Sequence, residues 1–103
     1  MLETDVRRGA RLLDEKRPGW AEKVDVAQLN MASASRCVLG QVAQAEGTHY
    51  HGLFTKLFNS DSYNEVAHGL ALRDGANNEN WAALKAAWVA EIEKRVTPTT
   101  RKD

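Results

Sequence analysis

The stretch Asn80–Val96, NWAALKAAWVAEIEKRV, decides the fold class of this chain. Its large apolar side chains recur every three or four residues, which is the spacing of one face of an α-helix: Trp81, Leu84, Trp88, Ile92 and Val96. Alanines, the best helix formers, surround that stripe. Lys94 and Arg95 come near its end, where the negative end of a helix dipole favours cations. The stretch therefore predicts one long amphipathic helix over 80–96.

Two more helical patterns lie before this stretch, on either side of Gly47. The first begins at Ser33 or Ser35 and ends at Glu46, and its apolar residues fall within one arc at about 100° per residue: Ala34, Val38, Leu39, Val42 and Ala45. Another face of the same helix carries Cys37, Gly40, Gln41 and Gln44. Gly47 is placed as a C-cap residue. The second pattern covers 48–58, with a stripe of Tyr50, Leu53, Phe54 and Leu57 and with Phe58 at its edge.

The N-terminal part predicts a further helix, from about Asp5 to Lys16, with Thr4 as its N-cap. Its apolar stripe has helical spacing and comprises Leu2, Val6, Ala10 and Leu13. Pro18-Gly19 ends this helix, because proline cannot continue the ladder of backbone hydrogen bonds.

The connecting segments give weaker patterns. After Pro18-Gly19 the apolar spacing is mixed, which predicts Trp20 as a docking anchor and a short helical turn near Val26–Leu29. Asp25 is placed to cap that turn. Further on, Asp61 or Ser62 can cap a short turn through Ala67 that Gly69 ends, and 73–80 reads as a polar loop.

Together these patterns predict an all-α fold, a small single-domain bundle of four principal helices with short connecting turns. The helices over 34–46, 48–58 and 80–96 form the predicted core, and the first helix packs across them. A length of 103 residues is typical of one compact domain. We place that domain at 1–96 and expect 97–103, which is polar and contains Pro98, to be a flexible C-terminal tail.

Charge and cysteine content restrict the classes of function. The chain carries 14 Lys and Arg against 14 Asp and Glu, so its net charge gives no general attraction to nucleic acid or to anionic lipid. Residues 37–76 are the least basic part of the chain. A single cysteine, Cys37, excludes an intrachain disulfide, and neither a signal-peptide core nor a membrane span is evident. We therefore expect a cytoplasmic protein.

Candidate catalytic and metal-binding residues do not converge in the sequence. His49 and His51 diverge by about 200° on a helix, so they cannot share a metal ion. Adding Cys37 and His68 produces no pair at a ligand spacing, and a lone cysteine among apolar neighbours is more often a small buried hydrophobe. We expect no catalytic residue, metal, cofactor or small-molecule substrate, and we expect that the protein is not an enzyme.

Aromatic residues are the candidate binding residues. Trp81 and Trp88 lie two turns apart on one helix face, and Trp20 precedes them. These tryptophans can serve to pack the core. They can also form a partner interface, because tryptophan is enriched at binding hot spots. The candidate binding residues are Trp20, Trp81, Trp88 and Tyr50. The leading hypothesis is therefore an accessory protein that binds another protein or a second copy of itself.

A helix-turn-helix over residues 39–58 is the alternative. The spacing of Ala43 and Gly47 fits the tight turn of that motif. However, Glu46 and Lys56 fall where apolar residues are expected, and the recognition segment carries one firm positive charge where specific DNA binders neutralise several phosphates. A DNA-binding regulator is thus the second hypothesis, and nucleic acid is the less favoured partner.

Residues 17–41 also contain a distinctive sequence motif. Arg17-Pro18-Gly19-Trp20-Ala21, then Val24-Asp25 and Leu29, then Arg36-Cys37-Val38-Leu39-Gly40-Gln41, resembles a group of small proteins from actinobacteria and their bacteriophages. The closing helix with Trp88 is similar as well, so the resemblance covers about half of the chain. No established activity comes with this group. The resemblance implies a bacterial or bacteriophage cytoplasmic origin, and it transfers no catalytic residue.

Overall fold

The computed structural model describes residues 2–58, 68–70 and 77–100, with side chains for all of these except Leu2 and residues 97–100. These ranges contain four α-helices, two 3₁₀ turns and no strand. The helices are α1 (Leu2–Lys16), α2 (Val38–Ala45), α3 (Tyr50–Phe58) and α4 (Asn78–Thr100), and the 3₁₀ turns are Trp20–Lys23 and Val26–Gln28. The predicted all-α bundle of four principal helices is confirmed. None of the described helices is long and apolar enough to span a membrane.

Helix α1 buries three residues of the predicted stripe, and it begins earlier than predicted. The side chain of Leu2, the fourth residue of the stripe, lies outside the described part of the structure. Val6, Ala10 and Leu13 are at most 2% exposed. The helix begins at Leu2, so Thr4 lies inside the first turn and is not the N-cap. Glu3 and Asp5 place two carboxylates in that turn, where the helix dipole favours negative charge. After Lys16 the chain turns at Pro18, and Gly19 adopts a left-handed conformation with φ of 85°.

The connection from α1 to α2 confirms the predicted docking of Trp20 and the predicted cap at Asp25. Trp20 docks with 1% of its surface exposed, in the first 3₁₀ turn. Asp25 caps the second turn, since its side chain accepts a hydrogen bond from the Ala27 N–H at 3.0 Å. The turn expected at 61–67 lies outside the described residues.

Helix α2 is shorter than predicted because the chain before it folds back over its first turn. The helix begins at Val38, and the Cys37 sulfur caps it by accepting the Gly40 N–H at 3.3 Å. A Cβ at Gly40 would meet the Ala34 carbonyl oxygen, so the backbone of residues 34–35 lies directly on this glycine. Cys37 and Gly40 are therefore buried and Ala34 is exposed, the reverse of the predicted faces. Ala45, also predicted in the apolar arc, is exposed as well.

A glycine turn joins α2 to α3, as predicted. Gly47 has φ of 83°, and two backbone bonds close the turn: the Gly47 N–H to the Gln44 carbonyl at 3.1 Å and the Thr48 N–H to the Ala43 carbonyl at 2.9 Å. This pattern is a Schellman C-cap. Helix α3 begins at Tyr50, two residues later than predicted, because His49 acts as its cap and accepts the Gly52 N–H at Nδ1.

Helix α4 confirms the central prediction and extends it at both ends. Leu84, Trp88 and Ile92 are at most 3% exposed. The helix begins at Asn78 because Asn77 and Asn80 cap each other, each side chain accepting the backbone N–H of the other at 2.9–3.0 Å. Its backbone runs past Val96 to Thr100. Flexibility of the C-terminal tail stays a prediction.

The helices pack in two pairs that share one core. Helix α1 packs on α4, α2 packs on α3, and the first 3₁₀ turn contacts both α4 and α2. The rings of Trp20 and Trp88 meet edge to face, with centroids 5.7 Å apart. Trp88 also donates from Nε1 to the Gly69 carbonyl at 2.7 Å, which fixes the segment 68–70 against α4. The two tryptophans thus lie where the helix pairs meet.

Candidate functional site

The structure divides the four candidate binding residues into two sets. Trp20 and Trp88 are 1% and 0% exposed, so they belong to the core and offer no surface to a partner. Tyr50 and Trp81 are half-buried and pack against the edge of that core. Tyr50 stacks on Phe54 with ring planes 6° apart. The structure does not gather the four side chains into one surface, and a binding role stays open for Tyr50 and Trp81 alone.

A charged network covers Trp20 and joins α1 to α4. Arg95 binds Asp14 with two hydrogen bonds of 2.8 Å, one from Nε and one from Nη2. Its Nη1 donates to Glu91 Oε1 at 3.0 Å. The guanidinium carbon lies 5.5 Å from the centroid of the Trp20 ring, and Trp20 Nε1 donates to Asp14 Oδ1 at 2.9 Å. Arg95 therefore uses both its charge and its flat face within the protein.

The network lowers the pKa of both its carboxyl groups. The hydrogen bonds from Arg95 hold the pKa of Asp14 below its ordinary value, and they outweigh the opposite effect of burial. For Glu91, burial raises the pKa, but hydrogen bonds from Arg95 and Lys94 exceed that effect, so the pKa lies below its ordinary value. The hydrogen bonds to Asp14 raise the pKa of Arg95 in turn. All three groups are charged at neutral pH.

An apolar groove lies between the 3₁₀ segment and the last turns of α4. It has a volume of about 270 Å³ and is lined by Ala21, Glu22, Val24, Val26, Ile92, Glu93 and Val96. Val26 and Val96 are half-buried, whereas Ala21, Val24 and Ile92 form a buried floor. We call this surface the apolar groove.

Two carboxylates flank the apolar groove. Glu22 and Glu93 are exposed, and neither side chain forms a hydrogen bond or an ion pair within the described part of the chain. Helical periodicity does not predict this groove, because Val24 and Val26 follow no helical period. Their neighbours on α4 are far away in the chain.

A second depression, of about 440 Å³, lies between α1 and α4. We call it the basic groove, and it is lined by Arg7, Arg11, Asp14, Glu91, Lys94 and Arg95. Lys94 pairs with Glu91 at 3.1 Å, and Arg95 pairs with both acids. Arg7 and Arg11 are exposed, and within the described residues their side chains have no hydrogen bond or ion pair. This surface could not be predicted from charge counts, because the ion pairs that distinguish its cations join α1 to α4 and residues within α4.

The helix-turn-helix alternative keeps its structural elements. Ala43 is fully buried at the turn between α2 and α3. Glu46 and Lys56 are both exposed, so the two positions that the motif fills with apolar core residues lie outside the core of this protein. Glu46 forms an ion pair with Arg17, with 2.7 Å between Oε2 and Nε. Lys56 is the single lysine or arginine of α3.

His49, His68 and Cys37 have structural contacts, and His51 is exposed. His49 caps α3, the His68 ring lies 5.0 Å from the Phe58 ring, and Cys37 is buried as the cap of α2. Among the residues that the structure describes, no three His, Cys, Asp or Glu side chains come close enough to hold a metal ion.

Comparison with models of protein families, with curated proteins and with solved structures finds no match to this chain.

Proposed function

We propose that this protein binds another protein through the apolar groove, as a small accessory protein of a bacterial or bacteriophage cytoplasm without catalytic activity of its own. The observation that carries the proposal is an apolar groove with an unpaired carboxylate on either side, at Glu22 and Glu93. The resemblance of residues 17–41 to proteins of actinobacteria and their bacteriophages supports the proposed origin.

The groove favours a helical segment as the occupant. Its floor is already packed in the core, so docking requires little rearrangement of Ala21, Val24 and Ile92. Apolar side chains of a partner would cover the remaining exposed surface of Val26 and Val96, and burial of apolar surface stabilises the complex. An amphipathic helix presents such side chains at one-turn spacing.

The carboxylates beside the groove determine which residues flank the apolar face of the partner helix. Unpaired carboxylates at Glu22 and Glu93 attract lysine or arginine and repel acidic partners. The partner is therefore an amphipathic helix with apolar anchors flanked by basic residues.

The test is a titration with a synthetic amphipathic helix that carries leucines on one face and lysines beside them. Fluorescence anisotropy of the labelled peptide gives its Kd for the wild type and for two matched variants of α4. Val96→Ser lies in the groove and Val89→Ser lies outside it, and both valines are half-buried. We expect Val96→Ser to raise the Kd by about tenfold, the equivalent of about 1.4 kcal/mol, and Val89→Ser to leave it unchanged.

A second pair tests the carboxylates. Glu93→Gln weakens binding and reduces its dependence on salt, whereas Glu15→Gln on exposed α1 surface has neither effect. Equal losses in the groove and control variants, or no binding to the wild type, overturn the proposal. Sedimentation of the free protein as a dimer that Val96→Ser dissociates would assign the groove to a second copy of the chain and would overturn the proposed partner.

A DNA-binding regulator using residues 39–58 is the second candidate, and the tight turn between α2 and α3 favours it, with Ala43 buried and Gly47 at a positive φ. It predicts binding of mixed-sequence duplex at low salt, with affinity that falls steeply as salt rises and falls further in Lys56→Ala. The absence of measurable binding at low salt would exclude this candidate.

A further inference from the structure

We propose that the basic groove between α1 and α4 is a second docking site, which binds an acidic protein segment through Arg7 and Arg11. This surface uses Glu91, Lys94 and Arg95 of α4, whereas the apolar groove uses Ile92, Glu93 and Val96. The two grooves therefore lie on different sides of one helix, and each is tested without the other.

The distribution of ion pairs identifies which charges are available. Four cations and two acids line the basic groove. Asp14 and Glu91 are bound by Arg95, and Glu91 also by Lys94. Within the described residues, Arg7 and Arg11 are left with free guanidinium groups. Arg8, which pairs with Asp5, lies beside them in a neighbouring depression of about 250 Å³ lined by Thr4 and these three arginines.

The spacing of these arginines defines the ligand. Arg7 and Arg11 are four residues apart on α1, so they lie on one face with an axial separation of about 6 Å. Each guanidinium can bind a carboxylate with two parallel hydrogen bonds. The matching ligand carries two carboxylates about one helical turn apart, as an acidic helix does with Asp or Glu at i and i+4.

The helix beneath these arginines is held in place. Val6 and Ala10, on the neighbouring face of α1, are fully buried, and Arg95 ties Asp14 near the end of α1 to α4. The two guanidinium groups thus extend from a fixed backbone, and binding has to order the arginine side chains alone.

The shape and the acids of the site favour a protein segment. The groove is wide and shallow, whereas small-molecule sites enclose most of the ligand. Asp5, Asp14 and Glu15 stand among the arginines of α1. Arg8 and Arg95 pair with Asp5 and Asp14, so among these three acids it is Glu15 that would repel a nucleic-acid backbone. That backbone brings a phosphate at every step, while a peptide can place its carboxylates at the arginines alone.

The test uses an alanine-based helical peptide with two pairs of glutamates one turn apart, and a matched peptide with glutamines in their place. We expect the glutamate peptide to bind the wild-type protein, with affinity that falls as salt rises, and the glutamine peptide not to bind. The double variant Arg7→Gln, Arg11→Gln should weaken binding by at least about tenfold. Because neither arginine side chain forms a hydrogen bond or an ion pair within the described residues, we expect this variant to keep the circular dichroism spectrum and Tm of the wild type.

Matched controls separate this site from general charge effects and from the apolar groove. Arg36→Gln removes an exposed arginine elsewhere on the protein and should leave the Kd unchanged. Val96→Ser should also leave it unchanged, so failure of one groove is distinguishable from failure of the other. The proposal is overturned by equal binding to the double variant, by equal loss in Arg36→Gln, by displacement of the peptide by millimolar inorganic phosphate, or by tighter binding of a DNA duplex than of the acidic peptide.

Discussion

At the scale of single residues, the two buried tryptophans differ in what their indole N–H groups satisfy. Trp20 donates to Asp14, a partly exposed carboxylate that Arg95 also binds. Trp88 donates to the carbonyl of Gly69, a buried residue. If Trp20 loses its N–H, Asp14 keeps its hydrogen bonds from Arg95. If Trp88 loses its N–H, the buried Gly69 carbonyl loses this hydrogen bond.

This difference predicts the order of two conservative substitutions. Trp20→Phe and Trp88→Phe remove similar volumes from the core, but Trp88→Phe should lower the free energy of unfolding more. We expect a loss of about 1–2 kcal/mol for Trp20→Phe and about 2–4 kcal/mol for Trp88→Phe, from packing and hydrogen-bond terms. Urea unfolding monitored by circular dichroism measures both. A larger loss in Trp20→Phe would show that the contact with Asp14 and Arg95 matters more than the Gly69 bond.

At the scale of helices, the sequence predicted the apolar faces better than the helix ends. The stripes of α1 and α4 repeat over several turns, so their burial follows from local spacing alone: Val6, Ala10 and Leu13, and Leu84, Trp88 and Ile92. The start of α2 depends on contacts that spacing does not encode. Gln41 Nε2 donates to the Arg36 carbonyl and Gln44 Nε2 to the Ser35 carbonyl, and these bonds hold the preceding segment against Gly40.

The candidate sites were hidden for the same reason. Val24 and Val26 form one wall of the apolar groove. The other wall comes from residues 92–96 of α4, about 70 residues later in the chain. Arg7 and Arg11 are visible in the sequence at i and i+4, but an overall charge balance of 14 against 14 conceals them. Which arginines are free depends on an ion pair between Asp14 and Arg95, whose positions differ by 81.

The glycines of α2 and α3 give a prediction at this scale. A Cβ at Gly40 would meet backbone atoms of residues 34 and 35, which cannot move without displacing the whole segment. A Cβ at Gly52 would meet the Thr48 hydroxyl, a side-chain group that can rotate away. Gly40→Ala should therefore destabilise the fold by about 1–3 kcal/mol or more. Gly52→Ala should be neutral or stabilise it by up to about 1 kcal/mol, because alanine favours the helix. Thermal unfolding of both variants checks this order, and equal losses would contradict it.

At the scale of the whole molecule, charge is segregated although the net charge is zero. Glu22 and Glu93 line the apolar groove, and Arg7 and Arg11 line the basic groove. None of these four charged side chains has a partner among the residues that the structure describes. Arg95 lies between α1 and α4 and neutralises Asp14 and Glu91. Arg7 and Arg11 line the same groove as these two acids, but the cations that pair with Asp14 and Glu91 there are Lys94 and Arg95.

The same network predicts the acid sensitivity of the fold. Asp14 and Glu91 have a lower pKa in the folded than in the unfolded chain, so the unfolded state binds protons first as pH falls. Their contribution to stability is therefore complete above the ordinary carboxyl range, near pH 4–5, and is lost as pH falls through that range and below it.

Arg95→Met removes the Arg95 hydrogen bonds that lower the pKa of Asp14 and of Glu91. It leaves Glu91 buried, and burial raises the pKa of that carboxyl group. We expect the variant to be less stable at pH 7 and its stability to fall less between pH 6 and about pH 3. Arg8→Met, which breaks the exposed pair with Asp5, should keep the wild-type pH profile. Urea unfolding at a series of pH values measures the difference, and parallel profiles for the wild type and Arg95→Met would show that this network does not set the acid stability.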